Sequence, residues 1–297
     1  MRLRANLLLL LAAAIWGFAF VAQRVGMDYV GPYTFNGVRF ALGGLSLVPL
    51  IFVFRQSGKP AAGRQASSRT AGLAAGCVLF AAASLQQIGM VYTTAGKAAF
   101  ITCLYIVLVP VAGVFLRRSA SRGTWLGSLV AVAGLYLLCV REDFTIAYGD
   151  FLELAGALFW TVHILLIDRF SRQTDTLALA FFQFMACSAL SLAAALLLEE
   201  ITASAIRQAA IPILYGGLCS VGVAYTLQIA GQKHAPPAHA AIILSLETVF
   251  AAVGGYLILG ERLELQELVG CGLMMTGMLI SQLGSPSAAS EPPAAEG

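Results

Sequence analysis

A carboxylate inside an unbroken apolar run is the most chemically loaded residue of this chain: Glu247, within ILSLETVFAAVGGYLILGERL (243–263). At membrane depth an ionisable side chain costs about 2.5–3.5 kcal/mol on insertion scales, so it needs a partner or a purpose. Two readings stand side by side: a functional site that binds a proton or a substrate ammonium group, and a structural acid, held protonated or paired. Arg39 stands about two turns inside a second apolar run, where its forked donors suit either capture of a carboxylate or a clamp between helices. Trp16 and Trp160 lie midway along their runs rather than at a lipid interface, as walls of a solute cavity or as packing residues. His163 follows Trp160 by one turn, on the same face. Gln86, Gln87, Tyr105, Tyr225 and Gln228 add uncharged hydrogen-bonding groups to the candidate solute-binding set. Lys97, which begins an apolar run, and Gln183 complete a polar network around Arg39.

The elements that must position these residues follow from composition. Of 297 residues, 59% are hydrophobic and 11% charged, against about 25% charged in a soluble domain. A water-facing shell cannot be built from so few charges, and a net charge of +3 with scattered basic residues excludes nucleic acid as a partner. The lipid bilayer is the expected surrounding, and the fold class is all-α integral membrane. Apolar runs between Gly, Pro and charge clusters give ten candidate transmembrane helices near 5–26, 32–54, 70–92, 96–116, 122–140, 149–169, 176–198, 210–230, 237–259 and 265–283. The runs are continuous rather than alternating, which excludes a membrane β-barrel. The first run resembles a secretory signal at Leu7–Ala14, but its apolar pattern continues through Trp16, Phe18, Phe20 and Val25, as an uncleaved first span requires.

Twelve of the 18 Lys and Arg residues fall on inner segments when the N-terminus is placed inside, and five fall on outer ones. Both termini are therefore expected in the cytoplasm. The polar connector 55–69 reads as a cytoplasmic loop, and the Ser-, Pro-, Ala- and Glu-rich 284–297 as a disordered tail. The six cysteines stand singly as small packing residues, and neither they nor the three histidines form a metal motif. No cofactor and no catalytic residue is expected.

The chain is self-similar at an offset near 143 residues. TWLGSLVAVAG (124–134) slides onto ELVGCGLMMTG (267–277), Trp16 falls one place from Trp160, and Arg39-Phe40 answers Gln183-Phe184. The expected units are 1–140 and 141–283, with five spans each. An odd number of spans per copy makes the second copy enter the membrane from the opposite face, the inverted repeat common in secondary transporters.

AAAIWGFAFVAQRVG (12–26), FNGVRFALGGLSL (35–47), YTTAGKAAFIT (92–102), GALFWTVHILLIDR (156–169) and the Glu247 segment with its GER turn together resemble the EamA-type, ten-span drug/metabolite transporter superfamily. Members commonly carry Pro after that glutamate. Here Thr248 follows, so a straighter helix is expected. The resemblance implies a secondary transporter of the bacterial inner membrane that exports a small metabolite, such as an amino acid or related amphipathic solute. A proton coupled through Glu247 is one expected partner of the solute. Facilitated diffusion of a sugar, nucleoside or cationic drug is the alternative. A membrane-embedded enzyme finds no clustered carboxylates, Ser–His pair or GxSxG to support it, and there is no Walker-type loop for ATP.

Overall fold

The computed structural model describes residues 2–55, 68–115, 122–139, 146–235 and 237–283, so most of the 55–69 connector and the whole 284–297 tail lie outside the described residues. The described chain is helical. Its helices are α1 (Arg2–Gly26), α2 (Pro32–Ser46), α3 (Val48–Arg55), α4 (Ser68–Gly89), α5 (Ala95–Thr102), α6 (Tyr105–Phe115), α7 (Arg122–Cys139) and α8 (Tyr148–Ser171). There follow α9 (Thr176–Leu198), α10 (Ala203–Gln208), α11 (Ala210–Leu214), α12 (Thr226–Gln232), α13 (Pro237–Leu244), α14 (Glu247–Gly254) and α15 (Leu265–Leu283). Two π-helical stretches, Tyr215–Tyr225 and Gly255–Leu259, continue α11 and α14.

Among the described residues, seven segments are long and apolar enough to cross a bilayer: Leu3–Gly26, Pro32–Val53, Ser68–Gly89, Ala95–Gly113, Tyr148–Ser171, Thr176–Leu198 and Ala210–Gln232. Trp125–Gly134 and Glu247–Leu259 are shorter apolar helices. The protein is a multi-pass membrane protein. Its burial pattern is that of a bundle in lipid: Leu197, Ile211 and Leu265 are among the apolar side chains turned outward, while Asn36, Arg39, Gln87, Glu153, His163, Gln183 and Glu247 are buried. Polar side chains that would be costly in hydrocarbon are turned into the protein, where partners can be arranged.

Small residues set the closest helix crossings. A Cβ on Gly76 of α4 would stand 2.7 Å from the Gln183 carbonyl oxygen of α9, and one on Gly134 of α7 would stand 2.5 Å from the Gly270 carbonyl oxygen of α15. Gly277 of α15 abuts the Gly127 carbonyl in return, with a Cβ there 2.6 Å from Ala131 N. Backbones can approach this far only where no side chain intervenes.

Several expected straight spans are broken. Residues 32–54 divide at Leu47, two residues before Pro49, whose ring and missing N–H cannot continue the preceding helix. Residues 96–116 divide at Cys103–Leu104, where the N–H groups of Leu104, Ile106 and Val107 bond three residues back at 2.9–3.0 Å. Residues 237–259 divide at Ser245–Leu246 without a proline, which corrects the expectation of a straighter helix. The hydroxyl of Thr248 donates to the Ser245 carbonyl at 2.8 Å, and the N–H of Thr248 bonds the same carbonyl at 3.0 Å. A side-chain donor has taken over the local carbonyl and tightened the turn.

Candidate functional site

The two broken helices meet. Tyr105 opens α6 and Glu247 opens α14, each just after its break, and the two are 142 residues apart in the chain. The Tyr105 hydroxyl donates to Glu247 Oε1 at 3.1 Å, and Cys103 Sγ approaches the same oxygen at 3.4 Å. The position also sets the carboxyl in the first turn of α14, where the positive end of the helix dipole favours negative charge.

Around this pair lies a central cavity of about 40 Å³. A single water needs about 10–15 Å³ of such space, so the cavity has room for only a few small molecules of that size. It is lined by Trp16, Phe20, Gln23, Arg39, Gln86, Thr102, Tyr105, Trp160, Ile164, Ser220, Tyr225, Gln228, Leu244 and Glu247. The helices that converge here are α1, α2, α4, the two broken pairs, α8, α12 and the π-helical stretch Tyr215–Tyr225.

Aromatic rings form one wall. Tyr225 packs edge-on against Trp16 at a centroid distance of 4.7 Å and stacks on Trp160 at 6.2 Å. Both indoles are tethered: Trp16 Nε1 donates to the Ser220 carbonyl at 3.2 Å, and Trp160 Nε1 to Gln86 Oε1 at 2.8 Å. Ser220 belongs to the π-helical stretch, a wider helix form that recurs at functional positions. Gln86 Nε2 passes the chain on to Gln23 Oε1 at 3.3 Å.

Arg39 forms the charged side. Its Nε donates to Asn36 Oδ1 at 3.0 Å, and Asn36 Nδ2 is itself anchored to the Ala83 carbonyl of α4 at 2.9 Å. The guanidinium lies over Phe40 at 4.9 Å and Phe35 at 5.5 Å from the ring centroids, cation–π contacts that strengthen on desolvation. No carboxylate is paired with Arg39 among the described residues, and it lines the same cavity as Glu247. The site thus presents a planar cation, a carboxyl and an aromatic box to one small space.

Of the residues singled out by sequence, Trp16, Arg39, Gln86, Tyr105, Trp160, Tyr225, Gln228 and Glu247 come together here. Three stand behind the lining. Gln87 donates to the Gln23 backbone carbonyl at 3.2 Å. His163 lies edge-on to Trp160 and Tyr225, with its Nε2 3.1 Å from Gln183 Oε1, so Gln183 serves the histidine. Lys97 is elsewhere, in a larger vestibule of about 670 Å³ at the end of the bundle where α1 and α4 finish and α5 and α8 begin. There its ammonium pairs with Asp150 at 2.8 Å.

Sequence reasoning missed Gln23, Thr102, Asp150 and Glu153. Asp150 and Glu153 open an expected span, where acids read as an interfacial end rather than as buried groups. It also missed two acids that fasten helix starts. Glu199 accepts the N–H groups of Tyr33 and Thr34 at 2.8 Å, and Glu261 those of Ala95 and Gly96 at 2.8 and 3.1 Å. These carboxylates satisfy otherwise orphaned N–H donors, but from about 165 residues away, beyond the local signature of a helix cap.

Comparison with known proteins agrees with this architecture. An uncharacterized transporter of Archaeoglobus fulgidus is 32% identical over 293 residues, covering 95% of this chain and 87% of the relative. The uncharacterized transporter YoaV of Bacillus subtilis is 22% identical, covering 90% of this chain and 92% of its own length. A crystal structure superposes with a TM-score of 0.74 at 19% identity, over 95% of this chain and 98% of that one, and so shares the fold. The EamA-like transporter family matches residues 3–140 and 147–282, nearly the whole sequence. The chain belongs to the EamA-like transporter family.

Proposed function

We propose that the protein is a secondary transporter that moves a small zwitterionic or amphipathic metabolite, such as an amino acid, by alternating access. The observation that carries this reading is the meeting of two interrupted helices at Tyr105 and Glu247 beside a central cavity. Interrupted spans at a repeat interface are where transporters place their solute and ion sites. Two inverted five-helix halves supply the two exchangeable conformations. The reciprocal glycine contacts, Gly134 against Gly270 and Gly277 against Gly127, and the breaks 142 residues apart support that symmetry.

In this mechanism Arg39 receives a solute carboxylate, the Trp16–Tyr225–Trp160 wall covers its body, and Glu247 takes up either the solute ammonium group or a proton. Tyr105 holds the carboxyl in place during the exchange. In this reading both termini are cytoplasmic and the large vestibule faces outside, which the excess of basic residues toward the other end supports; the bacterial inner membrane and export are carried over from the family resemblance.

The test is flux from proteoliposomes loaded with labelled amino acids, with and without a pH gradient, for wild type and Glu247→Gln. Gradient-driven efflux lost in the variant supports proton coupling through Glu247. Efflux that ignores both gradient and variant makes the protein a facilitator. Absence of flux for every amino acid rejects that cargo, and sugars, nucleosides and cationic drugs are then assayed the same way.

A further inference from the structure

Two acids one turn apart on α8 are buried next to each other in very different company. Asp150 is 1% exposed, but its charge is matched by Lys97 at 2.8 Å and its Oδ1 accepts from the Thr93 hydroxyl at 2.9 Å. Glu153 is 0% exposed. Its Oε2 accepts from the Thr102 hydroxyl at 3.1 Å, while Oε1 has no hydrogen-bond partner among the described residues. A carboxylate offers about four lone-pair sites, and here a single neutral donor serves them. The slot is made by a glycine: a Cβ on Gly89 of α4 would come within 2.8 Å of Glu153 Oε1.

Position gives this under-satisfied acid a use. Asp150 and Lys97 line the vestibule, and Thr102 lines the central cavity. Glu153 stands between them, one helical turn from Asp150 and hydrogen-bonded to Thr102. The groups facing it are Asp150 from its own helix, whose charge Lys97 pairs, Thr102 from α5, and Gly89 of α4. Intramembrane acids so placed serve proton relays.

We propose that Glu153 is a second proton-binding carboxyl, set between vestibule and central cavity to exchange a proton with Glu247. Glu153 is sealed from the vestibule in this conformation, so a hydronium gives its proton to Oε1 and leaves as water when the Asp150 end opens. The Thr102 hydroxyl, turned to accept from Glu153, takes that proton as it gives its own to a cavity water, and the water passes one to the Glu247 carboxylate, so only O–H bonds form and break. The relay's purpose rests on the transport reading, but its chemistry is testable without flux.

The full chain in detergent is treated with dicyclohexylcarbodiimide, which adds the O–H of a protonated carboxyl in apolar surroundings and rearranges to a stable N-acylurea. Peptide mass mapping then follows each acid. Glu153 is expected to be labelled, with labelling falling steeply as the pH is raised and the proton leaves. Glu153→Gln sets the baseline for that peptide, and the wild-type titration decides alone if the variant does not fold. Labelling that is absent throughout, or equal at all pH values, overturns the proposal. Amino-acid efflux from the proteoliposomes with a flat Glu153 profile rejects the relay and keeps transport. A titrating Glu153 without efflux of any solute class keeps the proton site and rejects the transport reading.

Discussion

The crossing of α7 and α15 gives a prediction whose size can be worked from the structure. A Cβ on Gly134 would stand 2.5 Å from the Gly270 carbonyl oxygen, against the 3.4 Å or more of ordinary contact, so Gly134→Ala must part the helices by about 0.9 Å. A gap of about 0.5–1 Å forfeits a quarter to a half of each dispersion contact along the seam. Overpacking of this kind costs about 1–3 kcal/mol, and alanine returns up to about 1 kcal/mol of helix propensity. A net loss of about 1–2 kcal/mol is expected for Gly134→Ala and equally for Gly277→Ala. The two losses should not add, because the second Cβ enters a gap the first has opened. The double variant is therefore expected to be more stable than the sum of the singles by about 1 kcal/mol. Gly272 is the control, since a Cβ there meets nothing within 4 Å, and Gly272→Ala should be neutral or slightly stabilising. Equilibrium unfolding in mixed micelles with rising dodecyl sulfate measures all four. Singles as stable as wild type, or a double within about 0.3 kcal/mol of additivity, would refute the reasoning.

Two further outcomes are expected. Glu199→Ala removes the acceptor for the Tyr33 and Thr34 N–H groups at the start of α2; a lost cap costs about 0.5–2 kcal/mol, and because the carboxylate is only half-buried the same unfolding assay should read about 1 kcal/mol. Arg39→Lys keeps the charge but loses the planar stack on Phe35 and Phe40 and the aligned bond to Asn36. Lysine is thus not a conservative replacement; a loss of about 1–2 kcal/mol in stability is expected in the same assay, with solute efflux reduced, and a variant matching wild type in both would remove Arg39 from the site.

How much of this was legible in the sequence depended on whether the signal was local. Apolar runs announce helices because the bilayer leaves the backbone no other partner. Glu247, Arg39, Trp16 and Trp160 were visible as residues out of place in such runs. The partners of those residues were not, since Gln86 meets Trp160 and Gln23 meets Gln86 across more than 60 residues of chain. The break at Ser245–Leu246 was hidden for a different reason: proline is the readable helix breaker, whereas a threonine hydroxyl turning back on a carbonyl looks like any other threonine. Glu153 was hidden by its place near the start of α8, where only the tertiary contact with Gly89 and Thr102 distinguishes a buried acid from a solvated one.

In the inverted-repeat reading, packing and chemistry obey the symmetry to different degrees. The glycine contacts are reciprocal, because a side chain at either crossing point would part the same pair of helices. The helix breaks are reciprocal too, at Cys103–Leu104 and Ser245–Leu246. The side chains after the breaks are not: one copy supplies the Tyr105 hydroxyl, the other the Glu247 carboxyl. Two carboxylates facing each other at 3.1 Å could not both ionise, and two phenols would have nothing to exchange. A donor in one half and an acceptor in the other give a satisfied pair at the centre of a symmetric scaffold. In the transport mechanism proposed above, Glu247 is the member of that pair that can carry a charge change.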